Sequence, residues 1–226
     1  MTDTSCPIGP HTWASAYASA QTAIHAADLT HEGQQTYALC RPPGHHAFSD
    51  LAGGFCYLNN SAIAAERLRA RGRRPVILDI DLHHGNGTQG IFYHRADVLT
   101  ISLHAHPERF YPFFWGYEAE TGEGEGEGAN LNLPLARGSG DINFLNTLDK
   151  AFAKIADWGA DAIVLALGLD AFLGDPFAGL AVTTKGFAEI SHAIKSLNLP
   201  TLIVQEGGYL CPELGDNLAA VLEQWA

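Results

Sequence analysis

Four apolar runs of this chain end in residues able to do chemistry. The first leads into Arg41-Pro-Pro-Gly-His45-His46 and the second into Asp79-Ile-Asp81-Leu-His83-His84, while the later pair lead into Gly168-Leu-Asp170 and Glu206-Gly-Gly-Tyr209. Asp79 and Asp81 differ by two positions, so on a strand they face the same side, and His83 continues that parity past the strand end. Asp81, His83 and the distant Asp170 then make a set of one imidazole and two carboxylates. Those are zinc-ligand types, and three protein ligands leave a position open, as a catalytic zinc requires. A single strand-end aspartate more often caps the next helix. The combined set points to catalysis instead.

Adjacent histidines in a Pro and Gly loop are commonly just exposed. At a neighbouring strand end, however, His45 and His46 gain a use, because an imidazole beside a metal can serve as general base and then general acid near neutral pH. Tyr209, after two glycines, could donate a hydrogen bond to a developing oxyanion. Other features are weaker. Gly85-x-Gly87-x-x-Gly90 matches a dinucleotide fingerprint, but Asp79 and Asp81 just upstream would repel a pyrophosphate. Alternate glutamates in the Gly-Glu run at 121–128 likewise exclude a phosphate cradle. Cys56 has apolar neighbours and reads as core, His104 and His106 end a strand and could line the pocket, and His11, His25, His31, His94 and His192 read as surface residues.

The elements that must position these residues are also legible. Apolar runs at Tyr37–Cys40, Pro75–Ile80, Val98–Leu103, Ala162–Leu169 and Thr201–Val204, with a weaker alternating run at Asn130–Leu135, suit buried strands. Between them, Trp13–Leu29, Asn60–Ala70, Phe144–Trp158, Thr184–Leu197 and Leu214–Trp225 have helical composition. Alternation of strand and helix predicts an α/β fold with a parallel sheet, whose ligands bind beyond the carboxyl ends of the strands. Thr121–Gly128 is expected to be a surface loop with no regular packed element.

Composition narrows the class of protein. With 226 residues, 46% of them hydrophobic, the chain can bury one sizeable core, and a single domain over 1–226 is expected. Acidic residues number 25 against 13 basic, a net charge of −12, which disfavours a nucleic-acid surface and favours a cationic substrate. Cys6, Cys40, Cys56 and Cys211 lack disulfide or zinc-site spacing and fit a reducing compartment. With no membrane-length apolar run and no signal-peptide pattern, a cytoplasmic location is expected.

RPPGHHA at 41–47, GGFCYLNN at 53–60, DIDLHHGNGTQ at 79–89, GLDAFLGDP at 168–176 and EGGY at 206–209 together resemble the histone deacetylase family. The GNGTQ form, the GEGEGEGANLNLP stretch and LPTLIVQEGGY are most similar to class II enzymes and bacterial acetylpolyamine amidohydrolases. The resemblance implies a three-layer arginase-like fold with a mostly parallel sheet, and a zinc ion held by Asp81, His83 and Asp170. It makes His46 the general base and acid, with His45 as electrostatic partner, Asp79 orienting His45, and Asn86 behind His46 where many family members carry aspartate. Asn86 supplies no negative charge, which would leave His46 less basic. Tyr209 would polarise the amide carbonyl. Phe55 and Tyr111, beside Gly54 and Gly207, would wall an acyl-lysine or acyl-amine channel with Phe177 at its mouth. A structural potassium is implied at Asp79, the main-chain oxygens of Asp81, His83 and Leu103, and the Ser102 hydroxyl, with a second near Phe92, Arg95 and Val98.

The expected activity is zinc-dependent removal of an acetyl or other acyl group from a small-molecule or peptide amine, and the alternative is a catalytically silent metal-binding scaffold of the same fold. Relatives usually carry more chain before the Trp13 helix, so the fold is expected to be shortened at its N-terminus. Tyr37–Cys40 then becomes a sheet edge, which predicts a homo-oligomer, a two-fold dimer in particular.

Overall fold

A computed structural model describes residues 3–226. Six strands, β1 Thr36–Ala38, β2 Pro75–Asp79, β3 Leu99–Ala105, β4 Asn130–Leu135, β5 Ala162–Leu167 and β6 Thr201–Gln205, form one sheet in the order β1-β6-β5-β2-β3-β4. Every pairing is parallel. Helices α1 Thr12–His31, α2 Asn60–Ala70, α3 Asn86–Phe92, α4 Asp141–Trp158, α5 Thr184–Lys195 and α6 Leu214–Leu222 connect and cover the strands. The expected three-layer architecture follows from side-chain alternation. Val76 and Leu78 of β2 join one core with Phe144 and Leu148 of α4, Ile190 of α5 and Val221 of α6. Ile77 points the other way, into a core with the alanines of α1, Leu68 of α2 and Val164 and Val204 of the neighbouring strands. Small residues on that second face let α1 and α2 lie close to the sheet and to each other.

Local signals agree with these boundaries. Asn59 caps α2 by accepting the Ala62 N–H (2.9 Å), and Thr183 caps α5 by accepting that of Gly186 (2.9 Å), each stabilising by about 1 kcal/mol. Gly159, at φ 71°, ends α4 in the left-handed conformation that glycine adopts freely.

Three expectations need correction. The first strand stops at Ala38, because the Cys40 N–H turns back to the Ala38 carbonyl (2.8 Å) and the following prolines have no N–H for a ladder. It is an edge of the described sheet, as expected, and Leu39 beyond it is exposed. The helix α3 was not among the expected helices, since the glycines of Asn86-Gly-Thr-Gln-Gly oppose helix locally. Tertiary contact overrides propensity there: a Cβ on Gly87 would run into the Ala47 main chain, so glycine lets α3 pack against the histidine loop. The Gly-Glu run is not free of regular structure either. It forms a short 3-10 turn at Gly124–Gly126, and Gly126 is buried against the main chain at Tyr93 and Arg95.

Candidate active site and metal centre

Strands β2 and β5 are neighbours, with Asp79 opposite Ala166, so the residues just beyond their carboxyl ends emerge side by side. There Asp81, His83 and Asp170, all buried, bring potential ligand atoms within 4.8 Å of one another. The His83 Nδ1 lies 3.0 Å from Asp170 Oδ2 and 3.3 Å from Asp81 Oδ1. Main-chain donors orient both carboxylates: Asp81 accepts the N–H groups of His83 (2.8 Å) and Gly207 (2.8 Å), and Asp170 accepts that of Leu82 (2.9 Å). Gly207 is a steric requirement, since a Cβ there would stand 2.5 Å from Asp81 Oδ2 and 2.6 Å from Asp170 Oδ2.

The electrostatics describe a site built for a cation. Burial and the Asp81 charge push the Asp170 carboxyl up to about 6. For His83, burial favours the neutral ring, but Asp170 and Asp81 outweigh it and raise its pKa to about 10. Two buried carboxylates facing one imidazole, with no lysine or arginine among the donors, form the oxygen and nitrogen set that a divalent metal satisfies. The residues therefore fit a metal ion.

The histidine pair stands beside this centre. His45 Nδ1 lies 2.9 Å from Asp79 Oδ2 and His46 Nδ1 2.7 Å from Asn86 Oδ1, with the two rings 4.0 Å apart. Burial disfavours a charge on either ring, yet Asp81 and Asp79 hold the His45 pKa well above the ordinary value. His46 goes the other way, lowered by burial and then by the charges of His45 and His83. The Asn86 hydrogen bond by itself works the other way and raises the pKa, so the lowering comes from burial and the neighbouring imidazoles rather than from Asn86. Glu206, unassigned in the sequence reading, fastens the loop that carries the pair: Oε2 accepts the N–H groups of Gly44 (2.7 Å) and His45 (3.1 Å), and Oε1 accepts the Ser61 hydroxyl (2.8 Å). Burial pushes the Glu206 carboxyl up to about 7.

Aromatic rings enclose the histidines and His83. Tyr111 meets His46 edge-on at 4.8 Å, Phe177 meets His83 at 5.1 Å and Tyr209 at 4.5 Å, and Phe55 lies 6.4 Å from Tyr209. Phe177, expected only at the mouth of a channel, thus reaches His83 itself. Phe55 has φ 67°, a strained value for a bulky residue that sets the direction of its ring. Beside it Gly54, at φ 53°, touches His46 so closely that a Cβ would enter the imidazole ring. Gly54→Ala is accordingly expected to lower kcat at least tenfold while leaving metal content unchanged, as measured by metal analysis and steady-state kinetics. Asp3 and Phe110 complete the wall without having been foreseen: Asp3 accepts the Tyr111 hydroxyl (2.9 Å) and the Gly54 N–H (3.1 Å), and the Phe110 ring lies 6.5 Å from His83.

The remaining candidates fall elsewhere. Asp79 and Ser102 are partners across β2 and β3 and border a small cavity of about 10 Å³ with Gln89 and Asn132; Leu103, named for its main-chain oxygen, keeps its side chain in the core. Ser102 Oγ is paired with His104 Nδ1 (2.9 Å), and His104 Nε2 with the Gly116 carbonyl (2.9 Å). His104 therefore holds a loop, and His106 is exposed, so neither lines the metal pocket. His84 packs on His104 at 4.6 Å, away from the ligands. Near Phe92 and Val98, the Arg95 guanidinium lies over the Phe92 ring at 4.9 Å. Cys56 is buried, as expected of a core residue, and His31 is half-buried where a surface residue was expected.

Comparison with known proteins agrees with this geometry. Residues 1–225 match the family model described as "Histone deacetylase domain". The chain is 52% identical over 218 residues to an acetylpolyamine amidohydrolase of Burkholderia pseudomallei, covering 96% of this chain and 64% of that protein. It is 45% identical to one from Mycoplana ramosa over 218 residues, again 96% of this chain and 64% of the relative. A crystal structure of the Burkholderia pseudomallei acetylpolyamine aminohydrolase superimposes with a TM-score of 0.96 at 51% identity, over 99% of this chain and 66% of that one. The chain thus spans a little under two thirds of the length of the curated relatives it matches. Likeness in fold and sequence across nearly all its residues has one consequence: this chain belongs to the histone deacetylase family.

Proposed function

We propose that the protein is a zinc-dependent amide hydrolase that releases acetate from N-acetylated amines. The observation that carries this reading is the buried Asp81, His83 and Asp170 cluster with an imidazole, His46, held neutral beside it. Zinc bound by those three residues would supply Lewis acidity toward the amide carbonyl and toward water. The Asn86 Oδ1 can only accept, so the hydrogen of His46 sits on Nδ1 and leaves Nε2 free to take a proton. Burial, together with the positive charge that His45 keeps through its pairing with Asp79, holds His46 neutral and able to accept a proton. Having taken a proton at Nε2, His46 returns it to the departing amine. Tyr209 donates to the oxygen that becomes negative, and the aromatic walls orient the acyl chain and exclude water.

Acetylpolyamines are the proposed substrate class, with acetyl-lysine peptides as the related option. The names of these two relatives and the net charge of −12 both favour a cationic amine. At low ionic strength kcat/KM is expected to be several-fold higher for a cationic acetylated amine than for a neutral one of equal length. The ratio should fall as salt screens the field. Equal values at low salt would remove the electrostatic selection.

A potassium ion beside Asp79 and Ser102 is proposed from the family resemblance alone. The edge position of β1, with Leu39 exposed just beyond it, favours association of two copies. Four free cysteines fit a reducing cytoplasm, the −12 charge disfavours nucleic acid, and among the described residues no helix is long and apolar enough to cross a membrane.

The test is acetate release from an acetylated diamine and from an acetyl-lysine peptide, before and after chelation and after zinc is restored. Activity lost on chelation and regained with zinc supports hydrolysis. No turnover of either substrate with zinc stoichiometrically bound would establish the scaffold alternative.

A further inference from the structure

Asp175 belongs to the Leu-Gly-Asp-Pro stretch after β5 and is buried, yet its carboxylate is no nearer to being a ligand than to being a salt-bridge partner. Both of its oxygens instead accept main-chain N–H groups: Oδ1 that of Phe177 (2.9 Å) and Oδ2 that of Tyr209 (3.1 Å). One side chain therefore joins the loop after β5 to the loop after β6. The second of these loops is already held at Gly207, whose N–H is bonded to the proposed zinc ligand Asp81 (2.8 Å). Between the two anchored residues lies Gly208 at φ 134°, a conformation that other residues rarely adopt. The path from metal ligand to Tyr209 is thus fixed at both ends by carboxylates and bent in the middle by glycine. Phe177 shares the fixture, because its ring packs against Tyr209 at 4.5 Å and against His83 at 5.1 Å.

We propose that Asp175 is a positioning residue for the hydrolysis, setting the Tyr209 main chain against the metal ligands and holding Phe177 as part of the same unit. The inference rests on the reading of Tyr209 as oxyanion donor. Its chemistry is specific to a carboxylate: an amide at 175 keeps one acceptor oxygen and turns a donor NH2 toward the second N–H, so Asp175→Asn breaks one of the two attachments with hardly any change in volume.

The experiment is a double-mutant cycle on the zinc-loaded protein, with Asp175→Asn, Asp175→Ala, Tyr209→Phe and the combinations assayed for kcat, KM, zinc content and melting temperature. Asp175→Asn is expected to lower kcat about tenfold with zinc stoichiometry unchanged. In the Tyr209→Phe background, the same substitution is expected to change kcat by less than about threefold, because the group it positions is gone. A purely structural role would lower kcat by the same factor in both backgrounds, and that result overturns the proposal, as does a wild-type kcat in Asp175→Asn. If Asp175→Ala fails to fold, the near-isosteric amide decides the matter alone. Failure of the underlying reading has a separate signature: wild-type turnover in Tyr209→Phe by itself, which removes the oxyanion role and the positioning role with it.

Discussion

Alanine at Asp81, His83 or Asp170 is expected to abolish measurable deacetylation and to weaken zinc binding by more than about 100-fold, the upper end of what loss of a mere supporting partner does. Each residue offers one of only three ligand atoms gathered within 4.8 Å, and no other group among the described residues belongs to that cluster. The loss extends beyond one bond. Removing Asp170 takes away the carboxylate 3.0 Å from His83 Nδ1, and removing Asp81 also frees the Gly207 N–H that it accepts. Thermal unfolding gives a readout independent of turnover. A metal present at about 1,000 times its Kd stabilises the folded state by about 4 kcal/mol, roughly 8–16 °C for a chain of this size. The wild-type protein should show a zinc-dependent rise of that order, and the three variants little or none. Full zinc occupancy in any of them would remove that residue from the ligand set.

How far this site could be read from sequence depends on whether its residues announce themselves locally. Asp79 and Asp81 did, because two-residue periodicity carries the alternation of Ile77 and Leu78 between the two cores to the end of β2 and so gives the aspartates a common side. Ala162–Leu167 is buried at every position, and an unbroken apolar run of that length signals an interior parallel strand. The ligand pair across β2 and β5 then followed from strand-end logic alone. The roles of His45, Asn86 and the channel aromatics came instead from likeness to a family, and the geometry around them is compatible with those roles.

What stayed illegible has a common physical form. Glu206 and Asp175 are buried carboxylates whose important partners are main-chain N–H groups, the first at Gly44 and His45 and the second at Phe177 and Tyr209. Every residue but proline has such a donor, so no side-chain pattern marks the pairing. A buried carboxylate in an apolar neighbourhood would have been the available signal: Glu206 directly follows β6, and Asp175 lies in the loop after β5. The α3 helix was hidden for a different reason, since its glycines oppose helix locally and are explained by the close approach of the Ala47 main chain, known only in three dimensions.

Tyr209→Phe is expected to retain zinc and fold while kcat falls by roughly two to three orders of magnitude, the usual effect of deleting an oxyanion donor. The substitution is well suited to isolate the hydroxyl. Tyr209 is attached through its main-chain N–H to Asp175 and through its ring to Phe177 and Phe55, and phenylalanine keeps all three contacts. Burial and the nearby Asp81 and Asp170 charges push the phenol pKa upward, so the hydroxyl stays protonated and able to donate throughout the working pH range. Because the hydrogen bond is strongest when charge develops on the carbonyl oxygen, the loss should fall on kcat with KM changing little. His46→Ala supplies the control, since it should also keep zinc but lose the base. Equal KM and a wild-type kcat in Tyr209→Phe would mean that the metal alone stabilises the oxyanion. A large rise in KM with unchanged kcat would instead make Tyr209 a wall of the channel, like Phe177 beside it.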